Sequence, residues 1–326
     1  MPVAFNFLIA IEPLGWLSSG AGQFATSGNI SVRTRTSFPP HTPTLSGLYA
    51  LNYNDSELEK LQLAGPFWAK TDDPQNFYIP TPFNYSIADW KINDRLIWNS
   101  NTHQWQTGSG VALSDLPPSP ASWISIHDWH QPQQTQPNPW IQFPVCHSRL
   151  KLDERQLALD EQSNLFQENV IQMNPATCLV YLANLPLPNS WYRFGGESHI
   201  VNLDCLDLAV DTQQLLNQRP GKTFTLISPT IWGSNRLSYT EPINIRNDER
   251  EPIWDIEAIL TQPPSAFRHR LGGKLSRGRY AVPAGTVYVL NSPLMTTWQE
   301  WPEAWFPSEG YSFKRWGCGL ALPLVE

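Results

Sequence analysis

Thirty of the 326 residues are proline, spread from Pro2 to Pro323. Proline lacks an amide hydrogen and fixes φ, so it interrupts helices and is excluded from the interior positions of central strands. A chain punctuated this densely is restricted to short strands, hairpins and long ordered loops, with helix in the minority. Its composition is nevertheless that of a packed protein, with 41% hydrophobic and only 16% charged residues, which excludes a disordered chain. The length suits one large core or two ordinary ones. With 15 Trp, 14 Phe and 10 Tyr, part of the aromatic surface is available to partners.

Periodicity places the elements. Phe5, Phe7, Ile9 and Ile11 alternate and predict a first strand ended by Pro13. The stretch from Gly15 to Ser37, with four glycines, is too long for a plain connector. Thr42 as cap and Pro43 at the first helical position start a helix carrying Leu45, Leu48 and Tyr49 on one face. Short strands and turns are expected over Leu63 to Pro82, and an irregular excursion over Ser114 to Pro139, where the domain boundary is placed. Beyond it come a hairpin over Leu165 to Leu185 broken at Asn174-Pro175, and a strand over Ser198 to Leu206. A short helix over Asp211 to Gln218 stopped by Gly221 follows, then strands over Phe224 to Ile231 and Tyr280 to Leu290.

The formal charge of −7 argues against a free-standing nonspecific nucleic-acid binder, but charges beyond about 8 Å are screened, so local charge decides. Acids cluster over Asp153 to Glu168 and Asp248 to Glu257, and none occurs between Glu12 and Asp55, a stretch holding Arg33 and Arg35. Arg268, Arg270, Lys274, Arg277 and Arg279 fall within twelve residues, spaced by Gly272, Gly273 and Gly278, with no carboxylate among them. Cations on a flexible loop suit phosphate. Five such contacts to a single strand predict a loss of roughly a hundredfold in affinity between about 50 and 200 mM salt. A solvated surface loop is the competing reading.

Cys146, Cys178, Cys205 and Cys318 form no Cys-x-x-Cys pair and read as four buried, reduced thiols rather than a zinc or disulfide framework. No basic leader is seen and Phe5 to Ile11 is too short to span a bilayer, so a cytoplasmic protein with no membrane partner is expected. His127-x-x-His130 lies in a proline-rich loop, and no metal site is expected there. Phosphate-loop and nucleophile-elbow motifs are missing from the sequence.

Six stretches, in this order, carry a resemblance. They are Ile11-Glu12-Pro13-Leu14, Phe38-Pro39-Pro40-His41-Thr42-Pro43-Thr44-Leu45-Ser46-Gly47, Gly65-Pro66-Phe67 leading to Tyr78-Ile79-Pro80-Thr81-Pro82, Phe194-Gly195-Gly196-Glu197, Ala281-Val282-Pro283-Ala284-Gly285-Thr286-Val287-Tyr288, and Arg315-Trp316-Gly317-Cys318-Gly319. Over almost its whole length the chain resembles the third-subunit family of Cmr-type (type III-B) CRISPR effector complexes, in the RAMP superfamily. The resemblance implies an α+β chain of two ferredoxin-like (RRM-like) domains, here 1–135 and 136–326, with antiparallel sheets, long loops and Gly-rich loops. It implies a nonenzymatic subunit in antiviral defence that holds the 5′ tag of CRISPR RNA and bridges the large polymerase-like subunit to a backbone subunit, with no cofactor. Where family members often carry an Arg-Asp pair after the first strand, this chain has Gly15-Trp16-Leu17-Ser18.

Single-stranded RNA is held by cations, Gly-turn amides and aromatic faces. The expected RNA-binding residues are Arg33, Arg35, Arg268, Arg270, Gly272, Gly273, Lys274, Arg277, Arg279, Lys314, Arg315 and Trp316. Trp316 stacks a base in this reading and packs in the core in the alternative. Trp298, Trp301, Trp305 and Phe306 read as a partner surface or as a folded aromatic loop. Two other functions compete: a guide-processing endoribonuclease using His41 or His199 in acid–base cleavage, and a tryptophan-rich carbohydrate-binding β protein.

Overall fold

The computed structural model describes residues 4–17, 38–148, 165–195, 199–234, 237–246, 249–271 and 274–324. Among them strands dominate, and the helices α1 (Thr42–Tyr49), α2 (Asp55–Leu58) and α3 (Val210–Leu216) are short.

Besides two small hairpins, Tyr85–Ala88 with Lys91–Arg95 and Ile97–Asn99 with Gln104–Gln106, the described strands up to residue 207 are β1 (Phe7–Pro13), β2 (Leu63–Lys70), β3 (Asp73–Pro80), β4 (Trp123–Ser125), β5 (Trp140–Ser148), β6 (Leu165–Met173), β7 (Thr177–Ala183), β8 (Ser190–Phe194) and β9 (His199–Asp207). Seven of them form one antiparallel sheet in the order β8-β9-β1-β7-β2-β3-β4. Within it β9-β1-β7-β2 run fourth, first, third, second along the chain, with α1 between first and second, which is the ferredoxin-like arrangement. Central position explains composition: Leu8, Ile9, Ala10 and Ile11 of β1 are all buried, so both faces of that strand are covered.

A second sheet contains β10 (Gly221–Leu226), β11 (Ile256–Leu260), β12 (Val287–Leu294) and β13 (Ala321–Pro323), ordered β11-β12-β10-β13. Read from the other edge this is again fourth, first, third, second. The α+β class with two ferredoxin-ordered antiparallel sheets is therefore what the chain adopts. The chain passes between sheets around α3, and strands from both sides of residue 135 share the first sheet.

Several local expectations change. Leu165 to Leu185 is not a hairpin, because β6 pairs with β5 whereas β7 pairs with β1 and β2, so Asn174-Pro175 separates two sheets. Tyr280 to Leu290 is not one strand. Pro283 withholds a ladder donor, and Gly285, at φ 93°, turns so close to Thr81 that a Cβ would lie 2.8 Å from its carbonyl oxygen. The chain splits there into Arg279–Ala281 and β12. Thr42 does not cap α1: His41 occupies the cap position, and the Thr42 hydroxyl donates to Trp316 O at 2.7 Å. Of the thiols, Cys178 and Cys318 are buried, with pKa values pushed up to about 12 by desolvation, but Cys146 is exposed on β5.

One hydrophobic core runs through both sheets, and Trp298, Trp301 and Phe306 are buried in it. The stretch from Trp298 to Phe306 is thus a folded aromatic loop rather than a partner surface, with Trp301 and Trp305 ring centroids 5.5 Å apart. That core also absorbs much of the tryptophan on which the carbohydrate alternative depends. Among the described residues no helix is long and apolar enough to cross a membrane.

Candidate nucleic-acid interface

The cationic stretch forms a hairpin inserted between β11 and β12. Its stem pairs Ser265–Phe267 with Arg279–Ala281, and its outer part pairs Arg270 with Leu275 and Leu271 with Lys274. Strand alternation sorts the stem side chains: Phe267, Arg279 and Ala281 are buried, whereas Tyr280 is 56% exposed. Between stem and outer part, Arg268 Nε donates to Ser276 O at 2.7 Å, and the His269 amide donates to Ser276 Oγ at 2.9 Å. Arg277 is exposed. The hairpin brings Arg268, Arg270, Lys274 and Arg277 into one projection whose backbone is fixed by pairing, so the expected loop is an ordered finger on both sides of its turn. Gly272 and Gly273, between Leu271 and Lys274, lie outside the described residues, as do Arg33 and Arg35.

Arg279 is the exception within the hairpin. Its guanidinium is buried, donates to Glu309 Oε2 at 2.8 Å and lies 4.8 Å from the Phe313 ring centroid. A charge already paired and desolvated is a structural group, not a phosphate contact.

The second predicted cationic site is corrected more fully. Lys314, Arg315 and Trp316 are all buried. Lys314 Nζ donates to Gln299 O at 2.9 Å and Trp301 O at 2.6 Å, and burial lowers its pKa. Arg315 stacks on Tyr311, its Cζ 3.6 Å from the ring centroid, and desolvation lowers its pKa while Tyr311 opposes the shift. Trp316 packs against His269 and Tyr311, which settles its ring as core rather than a base-stacking platform.

These residues belong to a seam between the sheets. Gly317 takes φ 76° and approaches β2 so closely that a Cβ would lie 2.6 Å from Ala64 Cα. Ser228 Oγ donates to Gly317 O, the Gly319 amide donates to Thr230 Oγ1 at 2.6 Å, and Trp298 Nε1 donates to Cys318 O at 3.0 Å. Gly317 serves backbone-to-backbone approach, and Gly319 makes room for the Trp232, Phe306 and Trp301 rings, so both glycines of this motif face the protein interior.

Two residues near the hairpin escaped the sequence reading. Tyr280 was legible from alternation, since a strand with Ala281 inward turns Tyr280 outward. Glu309 was not, because its contact with Arg279 spans 30 positions and no local pattern marks it. Phe38, three residues after Arg35, packs on Trp140 at 4.9 Å, and His41 lies 4.8 Å from Phe267 at the hairpin stem. The buried setting of the His41 imidazole lowers its pKa to about 4, which leaves it neutral at pH 7 and a weak base. His199 pairs with Phe194 across β8 and β9. His127 and His130 are both exposed.

No family model and no curated protein matches the sequence. In three dimensions the chain is similar to a chain of the type III-B Cmr-beta complex bound to cognate target RNA and AMPPnP, with a TM-score of 0.51 at 11% identity over 86% of each chain. A second likeness, to a chain of Cmr-beta bound to cognate target RNA, has a TM-score of 0.45 at 12% identity over 86% of each chain. A third, to a chain of the Csm3-Csm4 subcomplex of the type III-A CRISPR-Cas interference complex, has a TM-score of 0.40 at 12% identity over 89% of this chain and 97% of that one. The first likeness is one of fold, in keeping with the two ferredoxin-ordered sheets.

Proposed function

We propose that this chain is a subunit of a type III CRISPR RNA-guided effector complex, where it holds the 5′ tag of the CRISPR RNA without cutting it. In this role it bridges the large polymerase-like subunit to a backbone subunit, in the cytoplasm. The observation that carries the reading is the fold shared with a chain of an RNA-bound Cmr-beta assembly over 86% of both chains. The paired cationic finger from Ser265 to Ala281 supports it by supplying phosphate contacts on a rigid stem, with Tyr280 outward for a base. The packing of the His41 ring against Phe267 supports a structural role for it over acid–base cleavage.

Native purification followed by mass spectrometry and sequencing of the bound RNA tests the proposal. The expected result is co-purification of a large polymerase-like subunit, backbone subunits and short CRISPR RNAs sharing one 5′ end. Purified protein that cleaves repeat RNA, and fails to cleave a 2′-deoxy version, would show the endoribonuclease reading to be the right one.

A further inference from the structure

The hairpin is not evenly paired. Between the Phe267–Arg279 pair of the stem and the Arg270–Leu275 pair beyond it, two residues on one strand, Arg268 and His269, face three on the other, Ser276, Arg277 and Gly278. One extra residue on one side of an antiparallel ladder is a β-bulge, which bends the strand and re-aims what lies beyond it. A bulge leaves a backbone amide without a ladder partner. Here the Arg277 amide donates to Glu309 Oε1 at 3.1 Å, while the other carboxylate oxygen, Oε2, accepts from Arg279 Nη1 at 2.8 Å. The same guanidinium nitrogen reaches Arg277 O at 3.4 Å, closing the bulge from its carbonyl side. Glu309 itself is held in a tight turn, Ser308–Glu309 pairing with Tyr311–Ser312, directly before the seam at Phe313–Trp316.

We infer that Glu309 is a positioning residue: its carboxylate latches the bulge at the base of the cationic finger and so sets the direction in which the outer strand pair, Arg270–Leu271 with Lys274–Leu275, leaves the stem. The purpose of that aim rests on the RNA-holding reading, whereas the latch itself does not. A carboxylate suits both contacts because both partners are donors. Glutamine would keep one acceptor and turn a second donor toward Arg279.

Hydrogen exchange of the 268–280 segment and binding of a fluorescent oligouridylate, measured on full-length wild type, Glu309→Ala, Glu309→Gln and a Gly278 deletion, test the latch. In Glu309→Ala the Arg277 amide is expected to exchange at least about tenfold faster and oligouridylate affinity to fall about tenfold, with exchange of β10 to β13 unchanged. Glu309→Gln lies between. Removing Gly278 leaves two residues facing two, straightens the finger, and is expected to reduce affinity as much as Glu309→Ala while keeping the stem protected. Unchanged Arg277 exchange and unchanged affinity in folded Glu309→Ala or Glu309→Gln would overturn the inference. Wild type that does not bind oligouridylate counts against the RNA reading alone, and Arg277 exchange then decides the latch by itself.

Discussion

Two stretches of this chain look alike on paper and do opposite things. Arg268 to Arg279 and Lys314 to Gly319 both set Arg and Lys among glycines. The first is a paired finger with Arg277 exposed, and the second is a buried seam in which every cation is capped by carbonyls or rings. The difference lies in what the glycines approach. In the seam, Gly317 meets Ala64, about 250 positions away in sequence, and that meeting excludes solvent from the neighbouring cations. Charge beside glycine therefore signals close approach without saying to what.

The sharpest way to break the contrast is at Gly317. Replacement by Val puts a side chain into Ala64 at a left-handed φ and is expected to destabilise the protein by about 4 kcal/mol, read as a lost or strongly shifted denaturant transition. A Gly317→Val variant with wild-type stability would mean that the seam is not closed as described.

Acid acts on the stem side of the comparison. His41 has a folded pKa of about 4 against an ordinary value of 6.5, so the unfolded chain binds the extra proton first. Its contribution is full above pH 6.5 and is lost as pH falls toward 4, at most about 3 kcal/mol. Denaturant melts of wild type and His41→Asn between these pH values should show a shallower acid limb in the variant.

Lys314→Met removes a buried donor and leaves Gln299 O and Trp301 O unpaired, at a cost of about 2 kcal/mol. RNA affinity should not follow, because Lys314 faces the protein. A fall in affinity larger than the fall in folded fraction would return Lys314 to the interface.

The smallest expected change in stability belongs to the finger. Arg270→Glu with Lys274→Glu and Arg277→Glu should leave stability within about 0.5 kcal/mol. The same triple variant should lower oligouridylate affinity tenfold or more and flatten its salt dependence by about 0.7 per lost contact. Arg279→Glu is unsuitable for this purpose, since it would press two carboxylates together at Glu309 and destabilise the stem directly. Equal affinity in the triple variant would remove the finger from the RNA reading.

Much of the element list was legible because short strands leave strong local marks. Alternation located β1, the stretch from Leu63 to Pro82 read as short strands and turns holds β2 and β3, and Pro43 located α1. Pairing was not legible: the Asn174-Pro175 break reads as a hairpin turn, yet β7 joins β1 and β2 while β6 turns to β5. A turn residue states that the chain bends and is silent about its next neighbour. The Thr42 hydroxyl, whose partner is the Trp316 carbonyl across 274 positions, shows the same limit for side chains.

By itself the sequence determined that this chain is mostly strand, that its aromatics can fill a core, and that its cations are segregated from its acids. These follow from bond geometry, burial and charge, which act residue by residue. Only the tertiary structure decided which cations remain at the surface, because burial depends on backbone brought in from elsewhere, such as Ala64 against Gly317 and Glu309 against Arg279. A guanidinium has one intrinsic charge but two possible fates, and the neighbour that selects between them is set by the fold.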